Sequence, residues 1–154
     1  SVSAYQYLPY TVEEGMKPED VAFYYYGDAE LAWLVLLAND VIDPYTHWPK
    51  SQPNLESYIK KQYATQSGTT GDAVLIWSQN TSITNNIKHY ESRYVPDIKI
   101  NHTTYVANPT AEFRPIRIYD YEFALNESRR QILLFNKNYM GDIESLLEKS
   151  LNGQ

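Results

Sequence analysis

Residues 24–51 read "YYYGDAELAWLVLLANDVIDPYTHWPKS", and this stretch decides how the chain is organised. Gly27 is a natural left-handed stop for a helix that precedes it. Asp28 follows at once and is placed to cap a second helix over residues 29–38, its carboxylate accepting an otherwise orphaned N–H. Leu31, Trp33, Leu34, Val35, Leu36 and Leu37 surround that second helix nearly completely, which demands burial on several sides. Full burial of six such side chains is worth, as an upper bound, on the order of 10 kcal/mol. A small domain cannot easily cover every face of so short a helix. Either later segments fold over it or another chain does.

Upstream, "YQYLPYTV" (residues 5–12) alternates loosely and contains Pro9, which fits an edge strand or an extended arm ended by Gly15. Pro18, followed by Glu19 and Asp20, marks a helix start, because proline lacks an N–H where none is needed and acids favour the positive dipole end. That helix presents Val21, Ala22 and Tyr25. Downstream, Pro44 and Pro49 make residues 39–50 irregular. Ser51 is placed to cap a third helix in which Leu55, Tyr58, Ile59, Gln62 and Tyr63 recur at helical spacing, with Lys60 and Lys61 on the back. Residues 67–72 ("SGTTGD") read as a loop.

A β-rich region is expected next: "AVLIW" (73–77), "NIKHYESRYV" (86–95), "IKI" and "TTYV" around Asn101 and His102, and "FRPIRIY" (113–119), cut short by Pro96, Pro109 and Pro115. Such an excursion builds only a thin core by itself. The chain then returns to helix over 120–130, a strand "QILLF" over 131–135, and a final amphipathic helix. Tyr139, Met140, Ile143, Leu146, Leu147 and Leu151 form that helix's stripe, and Gly153 ends it. The fold class read from this order is α+β: a β-α-α module over 1–50, a connecting helix over 51–66, a β-rich segment over 67–119 and a helix-strand-helix arm over 120–154.

Net charge is −6 across 154 residues, which disfavours nonspecific attraction to nucleic acid or anionic membrane. The longest apolar run, "LAWLVLLA", falls far short of the roughly 20 residues that span a bilayer. The absence of cysteine excludes disulfides, thiolate zinc sites and cysteine nucleophiles. No basic, apolar export segment is visible at Ser1, so the "NTS", "NHT" and "NES" triplets read as chance matches to a glycosylation acceptor. The unusual number is 15 tyrosines. Tyrosine combines contact area with a hydroxyl that a partner or water can use, although many tyrosines simply cap a half-buried core.

Catalytic patterns are weak. His47, His89 and His102 lie at no metal-binding spacing, and no nucleophile elbow or phosphate loop is present. His89 and Glu91 share one face of a strand and could act as an acid/base pair, but no third group orients the histidine, so a surface or cross-strand pair is the simpler reading. Asn39, Asp40 and Asp43 offer oxygen ligands without the glycine and distal glutamate of a calcium loop, and more simply form turns before Pro44. Glu13 and Glu14 are adjacent on extended chain and point apart. No catalytic, metal or cofactor residue is assigned, no cofactor is called for, and the chain is read as a non-enzyme.

Two resemblances are carried by these segments. "YTVEEGMKPEDVAFYYYGDAELAWLVLLAND" resembles a LysM-type module: a strand ending at Gly15, a helix with the Val21–Ala22 pair, the Tyr26–Gly27 step, and a second helix ending at Asn39. The usual second strand is replaced by "DPYTHWPKS". The more extensive likeness is to the baseplate wedge protein fifty-three family of contractile-tailed bacteriophages. It is carried by "YGDAELAWLVLLANDVIDPYTHWPKS" (26–51), "LESYIKKQY" (55–63), "HYE" (89–91) and "YEFALNESRRQILLFNKNYMGDIESLLEKSL" (121–151), with little from residues 64–118.

The second resemblance implies a structural virion protein of the tail baseplate, assembled in the host cytoplasm. It would join other wedge and inner-baseplate proteins, and neighbouring wedges, around the central hub, in six or a multiple of six copies per tail. Neither nucleic acid nor membrane is an implied partner. The LysM-like start would then be a protein-docking module; the alternative is a peptidoglycan- or glycan-binding module. Contact residues on the first reading are Trp33, Tyr45, Trp48 and Tyr58, with Tyr139, Ile143, Leu146 and Leu147 in the tail. For each of them the competing role is intramolecular core.

Overall fold

A computed structural model describes residues 6–153 and divides them between two compact units. Unit 1 is discontinuous, combining residues 1–51 with 127–154, and unit 2 is the continuous stretch 52–126. The α+β class holds: helices dominate and two small antiparallel sheets accompany them.

Unit 1 opens with β1 (Tyr7–Thr11), whose partner lies at the other end of the sequence. β5 (Gln131–Phe135) runs antiparallel to it, pairing Tyr7 with Phe135 and Thr11 with Gln131. Residue 9 is a proline opposite Leu133, yet no ladder bond is missing. Leu133 sends its own N–H and C=O outward, to the side-chain Oδ1 and Nδ2 of Asn39 at 2.8 and 2.7 Å. Pro9 thus occupies a pair that exchanges no backbone bonds, which is where a strand tolerates proline.

Helix α1 (Pro18–Tyr26) starts as its sequence dictates. Asp20 accepts the Lys17 N–H at 2.9 Å, and Gly27 ends the helix at φ 78° with its N–H on the Phe23 carbonyl. Asp28 then caps a 3-10 turn (Ala29–Leu31) rather than starting an α-helix directly, and α2 (Ala32–Ala38) continues from it. The stop of α2 is a Schellman motif in which Val41 N–H reaches the Leu36 carbonyl, Asp40 N–H reaches that of Leu37, and Asp40 takes the left-handed conformation at φ 53°. Residues 39–50 are less irregular than expected: Asp43 caps a single helical turn, α3 (Pro44–His47), by accepting the Tyr45 N–H at 3.0 Å.

The apolar α2 is buried between two clusters of its own unit. Val35 joins Val12, Val21, Ala22, Trp48, Ile132 and Leu134. Its neighbour Leu34 joins Phe135 and Ile143, the latter from α9 (Met140–Leu151), which a 3-10 turn (Lys137–Tyr139) introduces. Later segments therefore do fold over this helix, but only over part of it. Trp33 and Leu37 each remain about half exposed.

Unit 2 begins with α4 (Gln52–Gln62), whose Leu55 and Ile59 form one buried face with Tyr63. α5 (Ala64–Ser67) ends at Gly68, and α6 (Asp72–Gln79) brings Val74 and Trp77 onto that face. This corrects the strand expected at residues 73–77. A five-residue apolar run does not distinguish a strand from a buried helix segment, and Asp72 at the first turn favours the helix. The sheet follows, in the order β3 (Lys99–Ile100), β2 (Ile87–Ser92), β4 (Phe113–Arg117), all antiparallel. Residues 103–106, expected as strand, instead lie in α7 (His102–Ala107), because Asn101 caps it by accepting the Thr104 N–H at 2.8 Å. Helix α8 (Ile118–Ser128) closes the unit with Ile118 and Glu122 inside.

Polar groups tie unit 2 together. Fully buried Asn86 donates to the carbonyls of Trp77 and Asn80 at 2.7 and 2.8 Å, and its Oδ1 accepts from Arg117 at 2.6 Å. Arg117 also donates to the carbonyls of Ile83 and Thr81, stapling the loop before β2 to β4. Tyr63 donates to buried Glu122 at 2.6 Å. Among the described residues no buried side-chain polar atom lacks a partner, as a unique core requires. Among the described residues no helix is long and apolar enough to cross a membrane.

Candidate functional site

The residues with catalytic potential are engaged in holding the fold. His89 and Glu91 do share a face of β2, but Glu91 pairs with Arg114 across the β2–β4 ladder at 3.2 Å. His89 meets the edge of the Tyr121 ring at 5.8 Å. Burial, with help from Lys99 and Lys88 and against Glu91, lowers its pKa below the ordinary imidazole value and keeps it neutral at pH 7. His102 Nδ1 and the Tyr90 hydroxyl are hydrogen-bonded at 2.9 Å, in a stack where Tyr90 lies 4.0 Å from Tyr105. That stack fastens α7 to the sheet.

The acidic residues read likewise. Asp40 sits in the α2 stop and Asp43 caps α3, while Glu14 meets Arg130 at 2.8 Å. Arg130 also binds Glu127 and the Val12 carbonyl, closing the end of the β1–β5 ladder. Among the described residues no group of three or more His, Asp or Glu side chains could hold a metal ion. A shallow cleft of about 250 Å³ beside Glu91, Ser92, Arg93, Pro96 and Arg114 is open to solvent. Its arginines are already used, one on Glu91 and the other on the Ala111 carbonyl.

What remains is surface. The eight residues expected to touch partners separate into two sets. Trp48 is only 6% exposed, with its indole N–H on the Met16 carbonyl at 2.8 Å and its ring in the Val35 cluster. Ile143 is likewise buried, against Leu34 and Phe135, and Leu147 packs partly on the same cluster. Both Trp48 and Ile143 are core residues of unit 1, since a ring or branched chain at these positions covers the helix that would otherwise lie open. Tyr139 is half-buried in the 3-10 turn before α9. Tyr45, by contrast, is 88% exposed, and Trp33, Tyr58 and Leu146 all offer substantial area.

Tyr58 belongs to unit 2 and the other seven to unit 1. The structure also exposes apolar groups that periodicity did not single out: Phe23 and Tyr24 on α1, Ile42 before α3, and Tyr94 in the turn after β2. The tetrad "FYYY" at 23–26 signalled them, since a nine-residue helix cannot bury four consecutive rings. Large apolar side chains exposed singly are ordinary on a protein surface, so exposure by itself assigns them no role.

Comparison with known proteins supplies the context for such a surface. Residues 1–151 match the family model described as "Base plate wedge protein 53". The chain is 24% identical over 156 residues to "Baseplate wedge protein gp53" of Enterobacteria phage T4, the alignment covering 97% of this chain and 78% of that protein.

Proposed function

The chain belongs to the base plate wedge protein 53 family, and from that premise we propose how it acts as a structural protein in the baseplate of a contractile phage tail. It is a connector: its exposed rings and aliphatic groups dock on other wedge and inner-baseplate proteins and link neighbouring wedges around the hub. The single observation that carries this reading is the family match over nearly the whole chain. The exposed Tyr45, Trp33, Tyr58 and Leu146 support it, because aromatic anchors contribute most of the energy of protein interfaces. The copy number that goes with this reading is six or a multiple of six per tail.

No catalytic step is assigned to it. Assembly takes place in the host cytoplasm, and the finished site of action is the virion tail. The test is direct: mass spectrometry and electron cryo-microscopy of tails purified from virions of the phage that encodes this chain. The expected result is the chain at the inner baseplate in a ring-symmetric copy number, with Tyr45 and Trp33 covered by neighbouring polypeptides. Tails that assemble and contract normally without the chain would remove this reading.

A further inference from the structure

The tetrad at residues 23–26 is used unevenly. Tyr26 donates to the Phe135 carbonyl at 2.6 Å, and the Tyr25 hydroxyl accepts the Lys137 N–H at 3.1 Å with its ring under the Lys137 ammonium. Those two rings hold α1 on the β5–α9 junction. Phe23 and Tyr24 turn the other way, 60% and 75% exposed and edge to face with each other at 6.1 Å. Helix formation does not explain them, since aromatic residues are middling helix formers and a lysine or glutamate would serve better on a solvated face.

The surroundings of this pair specify a partner. Tyr10 stands beside it on β1, its hydroxyl 3.9 Å from the Met16 sulfur; burial, then Glu13 and then Tyr24, raise its pKa. Glu19 precedes Phe23 by one helical turn and is exposed. Residues 13–43 hold eight acids against one base, Lys17. Such a field repels nucleic acid, anionic headgroups and a second copy of the same surface, and it attracts cations. Ring faces beside carboxylates are a favourable seat for lysine and arginine side chains.

We propose that the outer face of α1, with Phe23 and Tyr24 at its centre and Glu13 and Glu19 at its rim, docks on a basic patch of another baseplate protein. The inference rests on the wedge reading above and adds the chemistry of the partner: lysines and arginines that seat their cations over the two rings. The carboxylates steer the encounter and the rings hold the complex once it has formed.

The experiment measures association of the full chain with each purified baseplate wedge protein of the same phage, at about 50 mM and about 500 mM salt, where screening lengths differ roughly threefold. At least one wedge protein binds the wild-type chain. Exchanging both rings (Phe23→Ser with Tyr24→Ser) weakens that binding about tenfold or more at both salts. Reversing the rim (Glu13→Lys with Glu19→Lys) slows association about tenfold at low salt and approaches wild type at high salt. Should the double ring variant not fold, Tyr24→Ser alone takes its place, with circular dichroism as the check.

Binding unchanged in the ring and rim variants overturns the proposal, as does a self-association that the ring exchange abolishes. Retention of the chain on phosphatidylglycerol vesicles or duplex DNA overturns it too. These results leave the wedge reading intact if the chain is still found in purified tails, whereas its absence from tails strikes the wedge reading itself.

Discussion

The two units of this chain solve the same problem, a small core with few residues, by opposite means. Unit 2 is made of neighbours in sequence: α4 meets α6 after a short turn, β2 pairs with β3 and β4, and a buried asparagine and arginine pin the loop between helix and sheet. Unit 1 is made of the chain's two ends, a sheet of one strand from each, with α2 trapped between clusters that only residues 127–154 complete. Charge divides the same way. Unit 1 carries 12 acids and 6 bases, whereas unit 2 carries 7 of each, so the whole net charge of −6 belongs to unit 1. The contrast is one of construction and charge: local and neutral in one unit, long-range and acidic in the other, with exposed rings on both, Tyr24 and Tyr45 in unit 1 and Tyr58 and Tyr94 in unit 2.

The strongest way to break the comparison is to delete residues 131–154. β1 then has no partner, Leu34 loses Phe135 and Ile143, and the Val35 cluster loses Ile132 and Leu134. Unit 1 should unfold altogether, since a lone strand and two short helices lack an independent core. Limited proteolysis read by mass spectrometry should show cleavage throughout residues 1–51 and continued protection of 52–126. A next, smaller blow is Trp48→Ala, which removes a buried ring together with its bond to the Met16 carbonyl. A loss of about 3–5 kcal/mol is expected from a large-to-small core change of this kind. Urea unfolding followed by unit 1 amide exchange measures it.

Tyr26 in unit 1 and Tyr63 in unit 2 each hold their hydroxyl proton tightly, and alkaline pH sharpens the difference between the units. Tyr26 donates to a carbonyl and Tyr63 to the Glu122 carboxylate. Burial raises both pKa values above the ordinary 10.0, and for Tyr63 Glu122 adds to the rise. Folded pKa values above unfolded ones mean that the native state holds these protons more tightly. Their contribution is therefore complete below about pH 10 and disappears as pH climbs past it. Tyr63→Phe should flatten that alkaline loss in unit 2 and cost about 1–3 kcal/mol at neutral pH, because it leaves a buried carboxylate short of a donor. Spectrophotometric titration and thermal melts across pH 8–11, a window about the ordinary tyrosine value, report both effects.

The mildest change is Asn39→Ala, which uncovers the outer edge of β5 at Leu133. Water replaces the lost bonds, so stability should fall by only about 1 kcal/mol. The open edge should instead appear as concentration-dependent association in light scattering.

Much of unit 1's local structure was legible. Pro18, Gly27 and Asp28 announce their helix ends because each acts within four residues, and "QILLF" declares β5 by composition. The pairing of β5 with β1 was not legible, since no local pattern records a partner about 120 residues away. The same distance made Trp48 ambiguous: its loop is visible in sequence, while the carbonyl and the cluster that receive it are not. In unit 2 the misread segments 73–77 and 103–106 are rich in apolar or β-branched residues that suit strand and helix alike. The deciding signals were single positions, the acidic Asp72 in the first turn of one helix and the capping Asn101 of the other. Among the contact candidates, exposure parted Tyr45 from Trp48 although both lie in one proline-flanked loop.

Because β1 waits for β5, the timing of synthesis matters. A ribosome moving along this message delivers residues 52–126 as a stretch able to settle early, while residues 6–51 remain without their closing strand until residues 131–135 have emerged. Products broken off before β5 therefore never present a properly seated α1.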